Sequence, residues 1–327
     1  PICLSSFAVY FTNSTDLSIT NNQFVMSEEF SGEYAIYCSG CNNSVIDNNY
    51  ISGNHSLSSI SADDCDNCDI NGNVITGGPS RGIVSGSSDG ASISYNEMDC
   101  STGIEAENGS VLTIDHNIIT DWGGYGINFN NSVNSSVSYN RIINRDDGGG
   151  YHGIFNGGSD QNAVLNYNYV SVTNHNNGSC QNCDQYGVTV HGSEVVGDTI
   201  IVVVNGQPAS GGHALNASNS YISGNYIDFS DGSWQYTSSP AISGEGESVI
   251  ENNTIISRAA SHGIRSGNLN NSIIRNNVIT GYGNSGDAIN VGNNNLISWN
   301  TITDMGKLIT LSKSKNGFNK NKNKKYI

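Results

Sequence analysis

The chain has 327 residues, a formal net charge of −16 and only 13% charged residues. It has no basic, aromatic-interleaved surface for nucleic acid and no run of about 18 apolar residues that could span a membrane. Asn is unusually abundant, at 49 residues. Low charge with so much Asn, Ser and Gly would favour disorder, but a regular aliphatic pattern along the chain argues for a stacked core.

In chain order, one short signature recurs: Asn, any residue, then Ile or a close relative. It appears at Asn22-Gln23-Phe24, Asn49-Tyr50-Ile51, Asn73-Val74-Ile75, Asn96-Glu97-Met98, Asn117-Ile118-Ile119 and Asn140-Arg141-Ile142. Asn168-Tyr169-Val170, Asn225-Tyr226-Ile227, Asn253-Thr254-Ile255, Asn277-Val278-Ile279 and Asn300-Thr301-Ile302 continue it. A second mark, Gly or Ala before an aliphatic, opens each copy, as at Ala35-Ile36, Gly82-Ile83, Gly153-Ile154 and Ala288-Ile289. Between the marks run short alternating strands such as Val137-Ser138-Tyr139, bounded by turn residues. A fixed period in the twenties means one supersecondary unit stacked many times. The pattern predicts an all-β, single-stranded parallel β-helix of about 12–13 coils stacked at strand spacing. It covers residues 1–310, with a basic Lys/Asn-rich end at 311–327. The repeated Asn is expected to take left-handed angles at a sharp turn and to bond to its counterparts above and below as a ladder.

This pattern resembles the right-handed parallel β-helix repeat family, which includes NosD-like repeats and many microbial surface proteins. The resemblance implies the fold; the family spans lyases, hydrolases, epimerases, adhesins and fibres, so it implies no single activity.

The eight cysteines include three C-x-x-C pairs, Cys38/Cys41, Cys65/Cys68 and Cys180/Cys183. Cys41 and Cys65 each precede their coil's Asn by the same interval and should lie one above the other, close enough for a disulfide. Pairing within each C-x-x-C and a four-thiolate zinc site are the alternatives. An even count favours an oxidising, extracellular or cell-surface setting, and a start at Pro1 suggests a processed or partial chain. N-glycosylation sequons stand at Asn13, Asn42, Asn54, Asn108, Asn130, Asn134, Asn177, Asn216, Asn252 and Asn270. Chance predicts about as many in so Asn-rich a chain, so glycosylation rests on compartment alone.

Charge separates along the sequence. Residues 1–80 hold nine acids, among them Glu28, Glu29 and Glu33, and no Lys or Arg. All seven lysines fall in the last 21 residues: Lys307, Lys313, Lys315, Lys320, Lys322, Lys324 and Lys325. Lysines at a sheet edge block unwanted pairing; equally, opposite charges at two ends favour head-to-tail self-assembly.

One outward position, read coil by coil, shows no carboxylate pair of the kind a glycoside hydrolase needs. The position before each opening Gly or Ala carries Arg81, Tyr125, His152, Tyr186, His213 and His262, and the longest insertions enter nearby. A glycan groove here would use Trp122, Tyr125, Tyr151, Tyr186, Trp234 and Tyr236 as stacking rings. His152 or His213 would act as base, with Asp146 or Asp147 as partner. Asp63-Asp64-Cys65-Asp66 and Glu245/Glu247 are candidate calcium ligands; no other cofactor is implied. The segment Thr199–Val204 breaks the pattern and lacks the Asn mark. The reading that follows is an extracellular structural subunit of a surface filament, sheath or adhesin, its main partner another copy of itself. A polysaccharide-active or glycan-binding β-helix is the alternative.

Overall fold

The computed structural model describes residues 7–26, 32–53, 55–144, 152–158, 162–175, 186–205, 212–231, 239–259, 262–282 and 286–311. Every regular element among them is a β-strand, and every strand pairing is parallel. The chain divides into two compact units, Pro1–Ala163 and Val164–Ile327.

Unit 1 is built from coils of three strands, one in each of three sheets. Sheet A stacks Phe7–Thr12, Tyr34–Ser39, Ser58–Asp63, Arg81–Val84, Thr102–Glu105, Tyr125–Asn128 and His152–Phe155. Sheet B runs from Ser18–Thr20 to Ser136–Ser138 and sheet C from Gln23–Val25 to Arg141–Ile143, in strands of three residues. Register is strict: Ile36 pairs with Ile60, Ile83 with Ile104, and Ile127 with Ile154. A one-residue slip would turn every side chain to the other face, so the alternating pattern fixes this register. The inward columns are wholly buried, as at Ile60, Ile70 and Ile75 of the third coil. Each such Ile contributes about 1.5–3 kcal/mol of burial.

The asparagine ladder is present in the turn between sheets B and C. Asn22, Asn49, Asn73, Asn96 and Asn117 each donate from backbone N–H and side-chain Nδ2 to Oδ1 of the next coil's Asn, at 2.9–3.1 Å. Asn49, Asn73, Asn96, Asn117 and Asn140 also donate Nδ2 to the carbonyl of the inward sheet-B residue one coil back, at 2.8 Å. The left-handed angle, however, falls on the residue before the ladder Asn. Asn21, Asn48, Tyr95, His116 and Tyr139 have φ of 54–58°. The ladder amide needs an extended approach to face its neighbours, so the residue preceding it takes the sharp turn.

Unit 2 repeats the coil with longer strands in sheet C. Its sheet A runs from Tyr186–His191 to Lys307–Leu311, and its sheet B from Val164–Asn166 to Leu296–Ser298. Its sheet C contains Tyr169–His175 and Thr199–Asn205, seven residues each. The irregular Thr199–Val204 segment sits here. Ile200 and Val202 point inward and are wholly buried, while Ile201 and Val203 are half-exposed on the outer side. The apparent absence of the Asn mark is a substitution, because Asp198 takes the ladder position. Its Oδ1 accepts from Asn168 N–H at 2.7 Å and Nδ2 at 3.2 Å, and its own N–H donates to Asn225 Oδ1 at 2.8 Å. Asn225, Asn253 and Asn277 continue the ladder.

Asp146, Asp147, Tyr151, Trp234, Tyr236, Cys180, Cys183, Asn54, Asn177, Glu28, Glu29 and the lysines from Lys313 onward lie outside the described residues. The assembly-end expectation rests mostly on these. Of the remaining sequons, Asn13, Asn108, Asn134 and Asn252 are exposed, whereas Asn42, Asn130, Asn216 and Asn270 are half-buried.

Candidate functional site

Outward side chains of sheet A in unit 1 form two columns that change character from coil to coil. In the first two coils they are aromatic. Phe7 stacks on Tyr34 at 5.4 Å between centroids and Tyr10 on Tyr37 at 5.2 Å, the rings of each pair nearly parallel. Tyr34 meets Tyr37 edge to face at 5.0 Å. Parallel in-register pairing (Phe7 with Tyr34, Tyr10 with Tyr37) brings these rings into contact. Tyr10 remains 54% exposed. The third coil places Ser58 and Ser61 in register with Tyr34 and Tyr37. Serines are too short to stack, so the ring column ends there.

Beyond the serines stands a charged group drawn from three coils. Arg81 Nε lies 2.7 Å from Glu105 Oε2. Asp63 accepts from Ser61 Oγ at 2.8 Å and from the Gly86 N–H at 2.9 Å. Burial raises the Glu105 carboxyl above its ordinary range; Arg81 opposes that shift, while Glu107 and Asp63 add to it. Burial likewise raises Tyr34, with Tyr37, Asp63 and Glu33 adding to the effect. Glu107 is held by Asn128 Nδ2 at 2.7 Å. The sequence reading missed this group. Asp63, Arg81 and Glu105 occupy different positions in their own coils, so no single column contains them. The signal was charge lying close across adjacent coils.

At the end of unit 1 the face is aromatic again. Tyr125 stacks on His152 at 5.5 Å, and Phe155 lies 4.6 Å from His152. Burial pushes the His152 imidazole down to about 4, so it stands neutral among rings. The proposed glycan-stacking ring Trp122 is wholly buried and presents no face to a sugar. Tyr125 remains half-exposed.

In unit 2, Tyr186 and His213 meet edge to face at 5.4 Å, both half-exposed. Arg258 bonds Asp228 through two nitrogens at 2.9 Å and lies over the Tyr282 ring at 4.9 Å. Several of the acids considered for calcium have partners within the protein. Asp66 accepts from the Asp89 N–H, Glu245 from Asn268 and Glu247 from Asn271. Cys38, Cys41, Cys65, Cys68 and Cys100 are buried free thiols. Among the described residues no group of three or more His, Cys, Asp or Glu side chains converges as a metal site.

Residues 4–153 match the family described as "Periplasmic copper-binding protein (NosD)". No curated protein matches the chain. Among solved structures, the Azotobacter vinelandii mannuronan C-5 epimerase AlgE4 A-module is similar at a TM-score of 0.55 and 13% identity, covering 94% of this chain and 91% of that one. The AlgE6 A-module of the same organism gives 0.48 at 11% identity, covering 92% and 89%. PfbA, a surface adhesin of Streptococcus pneumoniae, gives 0.44 at 10%, covering 89% and 85%. Likeness at these identities concerns the fold alone. The chain folds as a parallel β-helix of stacked coils, and the stretch that matches the NosD description lies within unit 1.

Proposed function

We propose that sheet A of unit 1 is a carbohydrate-binding face, and that its ligand is a neutral or amino-bearing glycan rather than a polyuronate. The carrying observation is the ring column of Phe7, Tyr10, Tyr34 and Tyr37 ending at short serines beside Asp63, Arg81 and Glu105. Flat rings beside fixed polar groups suit sugar rings. Charge selects among sugars. The one guanidinium in the group is engaged by Glu105, and Asp63 and Glu107 lie close enough to Glu105 to push its carboxyl up. A polyanion would meet uncompensated carboxylates on a chain whose net charge is already −16. The reading places the protein outside the cytoplasm, as a surface or periplasmic binding protein. Copper, named in the matched family, finds no converging ligand set among the described residues.

Calorimetry with soluble neutral β-glucan, chitosan oligosaccharide and alginate oligosaccharide tests this reading. Binding of the first or second, weakened about tenfold or more in Tyr37→Ala, is the expected result; one lost aromatic contact of about 1.5 kcal/mol gives that factor. Binding of alginate alone, or indifference to Tyr37→Ala, overturns it. The same mixtures report on chemistry. A raised carboxyl beside a second acid is the arrangement glycoside hydrolysis uses, so new reducing ends that vanish in Glu105→Gln would make the face catalytic.

A further inference from the structure

The second and third coils hold four cysteines, Cys38 near the end of the strand Tyr34–Ser39 and Cys41, Cys65 and Cys68 in the turns from sheet A to sheet B, none more than 1% exposed. Register sets them on a diagonal. Cys38 pairs with Ala62. Cys41 lies over Cys65, its N–H donating to Cys65 Sγ at 3.2 Å. Cys68 is one step further along, its thiol donating to the Cys41 carbonyl at 3.0 Å. Stacking alone would therefore favour a bond between coils, from Cys41 to Cys65.

The thiol contacts point elsewhere. Cys38 hydrogen-bonds the Cys41 thiol, and Cys65 hydrogen-bonds the Cys68 thiol. Across the coils, the Cys65 sulfur instead meets backbone: the Cys41 N–H and, at 3.7 Å, the Cys38 carbonyl. Each turn also contains left-handed residues, Gly40 and Asn43 in one, Asp64 and Asn67 in the other. Gly40 lies between Cys38 and Cys41, and Asn67 between Cys65 and Cys68, so each pair brackets a sharp bend of the backbone.

We propose that these four residues are an oxidation site that closes as two same-coil disulfides, Cys38–Cys41 and Cys65–Cys68. In each, two S–H bonds break and one S–S bond forms. Two electrons and two protons pass to a disulfide-bearing oxidant, whose own S–S bond is reduced to two thiols. Burial pushes the Cys38 thiol up to about 12, and the hydrogen bond to Cys68, with burial behind it, raises Cys65. The thiolate that exchange requires is therefore scarce at Cys38 and Cys65 once the coils have stacked, and Cys68, which its hydrogen bond with Cys65 lowers, is buried away from any oxidant. Oxidation belongs to the open chain, and packing then seals the bonds.

The test is to refold the full chain in a glutathione redox buffer, alkylate it, and map the cysteines by mass spectrometry. Trypsin cannot separate the pairs, since no Lys or Arg precedes Arg81. An Asp-specific protease can: Asp47 divides the two pairs, and Asp66 divides Cys65 from Cys68. The expected map is an internal bond in the Cys38/Cys41 peptide and a bond joining the Cys65 and Cys68 peptides. Reduction should lower the melting temperature by a few degrees. A Cys41–Cys65 link, or four alkylated thiols after oxidation, overturns the proposal. Cys65→Ser guards against misfolding as an explanation, because Ser88 already fills the same column and accepts the Cys65 N–H at 3.0 Å. That variant should keep Cys38–Cys41 and free Cys68; loss of the Cys38–Cys41 bond as well would overturn the same-coil assignment.

Discussion

Unit 1 carries Asn at every described rung of its ladder, whereas the second rung of unit 2 is Asp198. Unit 1 in turn half-buries a histidine, His152, in its last sheet-A strand. Asp198 Oδ1 does the work of an Asn Oδ1, so Oδ2 falls where the ladder has a donor amide, and it has no partner. The neighbouring rung, Asn225, spends that amide on the Val195 carbonyl; by the same register Asp198 faces the carbonyl of Leu165. A charged Oδ2 repels that oxygen, while a protonated one donates to it. Burial drives the carboxyl up to about 7, against the hydrogen bonds from Asn168 that oppose the shift. The two units therefore answer pH in opposite senses.

The signs follow from linkage. Asp198 has a folded pKa of about 7, above the ordinary 3.8. Its stabilising contribution is complete below the unfolded value and is lost as pH rises through the folded one. His152 has a folded pKa of about 4, below the ordinary 6.5. Its contribution is complete above 6.5 and is lost as pH falls through 4. Unit 2 should loosen toward alkali and unit 1 toward acid. Hydrogen exchange on the full chain, read from ladder peptides of each unit, would show this crossing.

The largest expected effect comes from transplanting the weakness. Asn96→Asp should cost unit 1 about 4 kcal/mol at pH 8 and little at pH 4, since Asn96 donates to the Ile70 carbonyl as its neighbours do. A loss equal at both pH values would mean that amide geometry, not charge, sets the ladder's strength. The reverse change, Asp198→Asn, should stabilise unit 2 by a similar but somewhat smaller amount at pH 8 and flatten its pH slope between 4 and 7. A smaller effect still, about 3 kcal/mol gained below pH 4, is expected in unit 1 for His152→Phe, which keeps a ring beside Tyr125 and Phe155 but cannot be protonated.

The coil was legible in the sequence because period and register are the same fact: Ile36, Ile60 and Ile83 must recur to meet. The ladder was legible except where chemistry substituted for identity, as Asp198 did for Asn. The left-handed position was misassigned by one residue, since Tyr95 and Tyr139 do not look like turn formers, yet their rings stack with His116 at 4.7 and 5.0 Å. Trp122 looked like a surface ring because it lies off the alternating strands, where burial has no periodic signature. The charged group on sheet A was hidden for a different reason. Coils of 21 to 24 residues place Asp63, Arg81 and Glu105 far apart in the chain, and only the register brings them together.

The smallest stability change should come from the place most concerned with function. Arg81 and Glu105 keep 41% and 23% side-chain exposure, so Arg81→Gln should cost unit 1 less than about 1 kcal/mol at neutral pH. Its effect on proton affinity should be plain. Arg81 is the group that opposes the upward shift of Glu105; without it, burial and the neighbouring acids act unchecked and the carboxyl rises further. Carboxyl-carbon NMR across a pH titration would follow Glu105 directly. If the ligand carries an amino group, a Glu105 that stays protonated to higher pH weakens the attraction, and binding should begin to fall off at a higher pH than in the parent as the solution is acidified. A neutral glycan should show no such displacement. An unmoved Glu105 titration would mean that Arg81 merely lies across the face and that charge there does not choose the ligand.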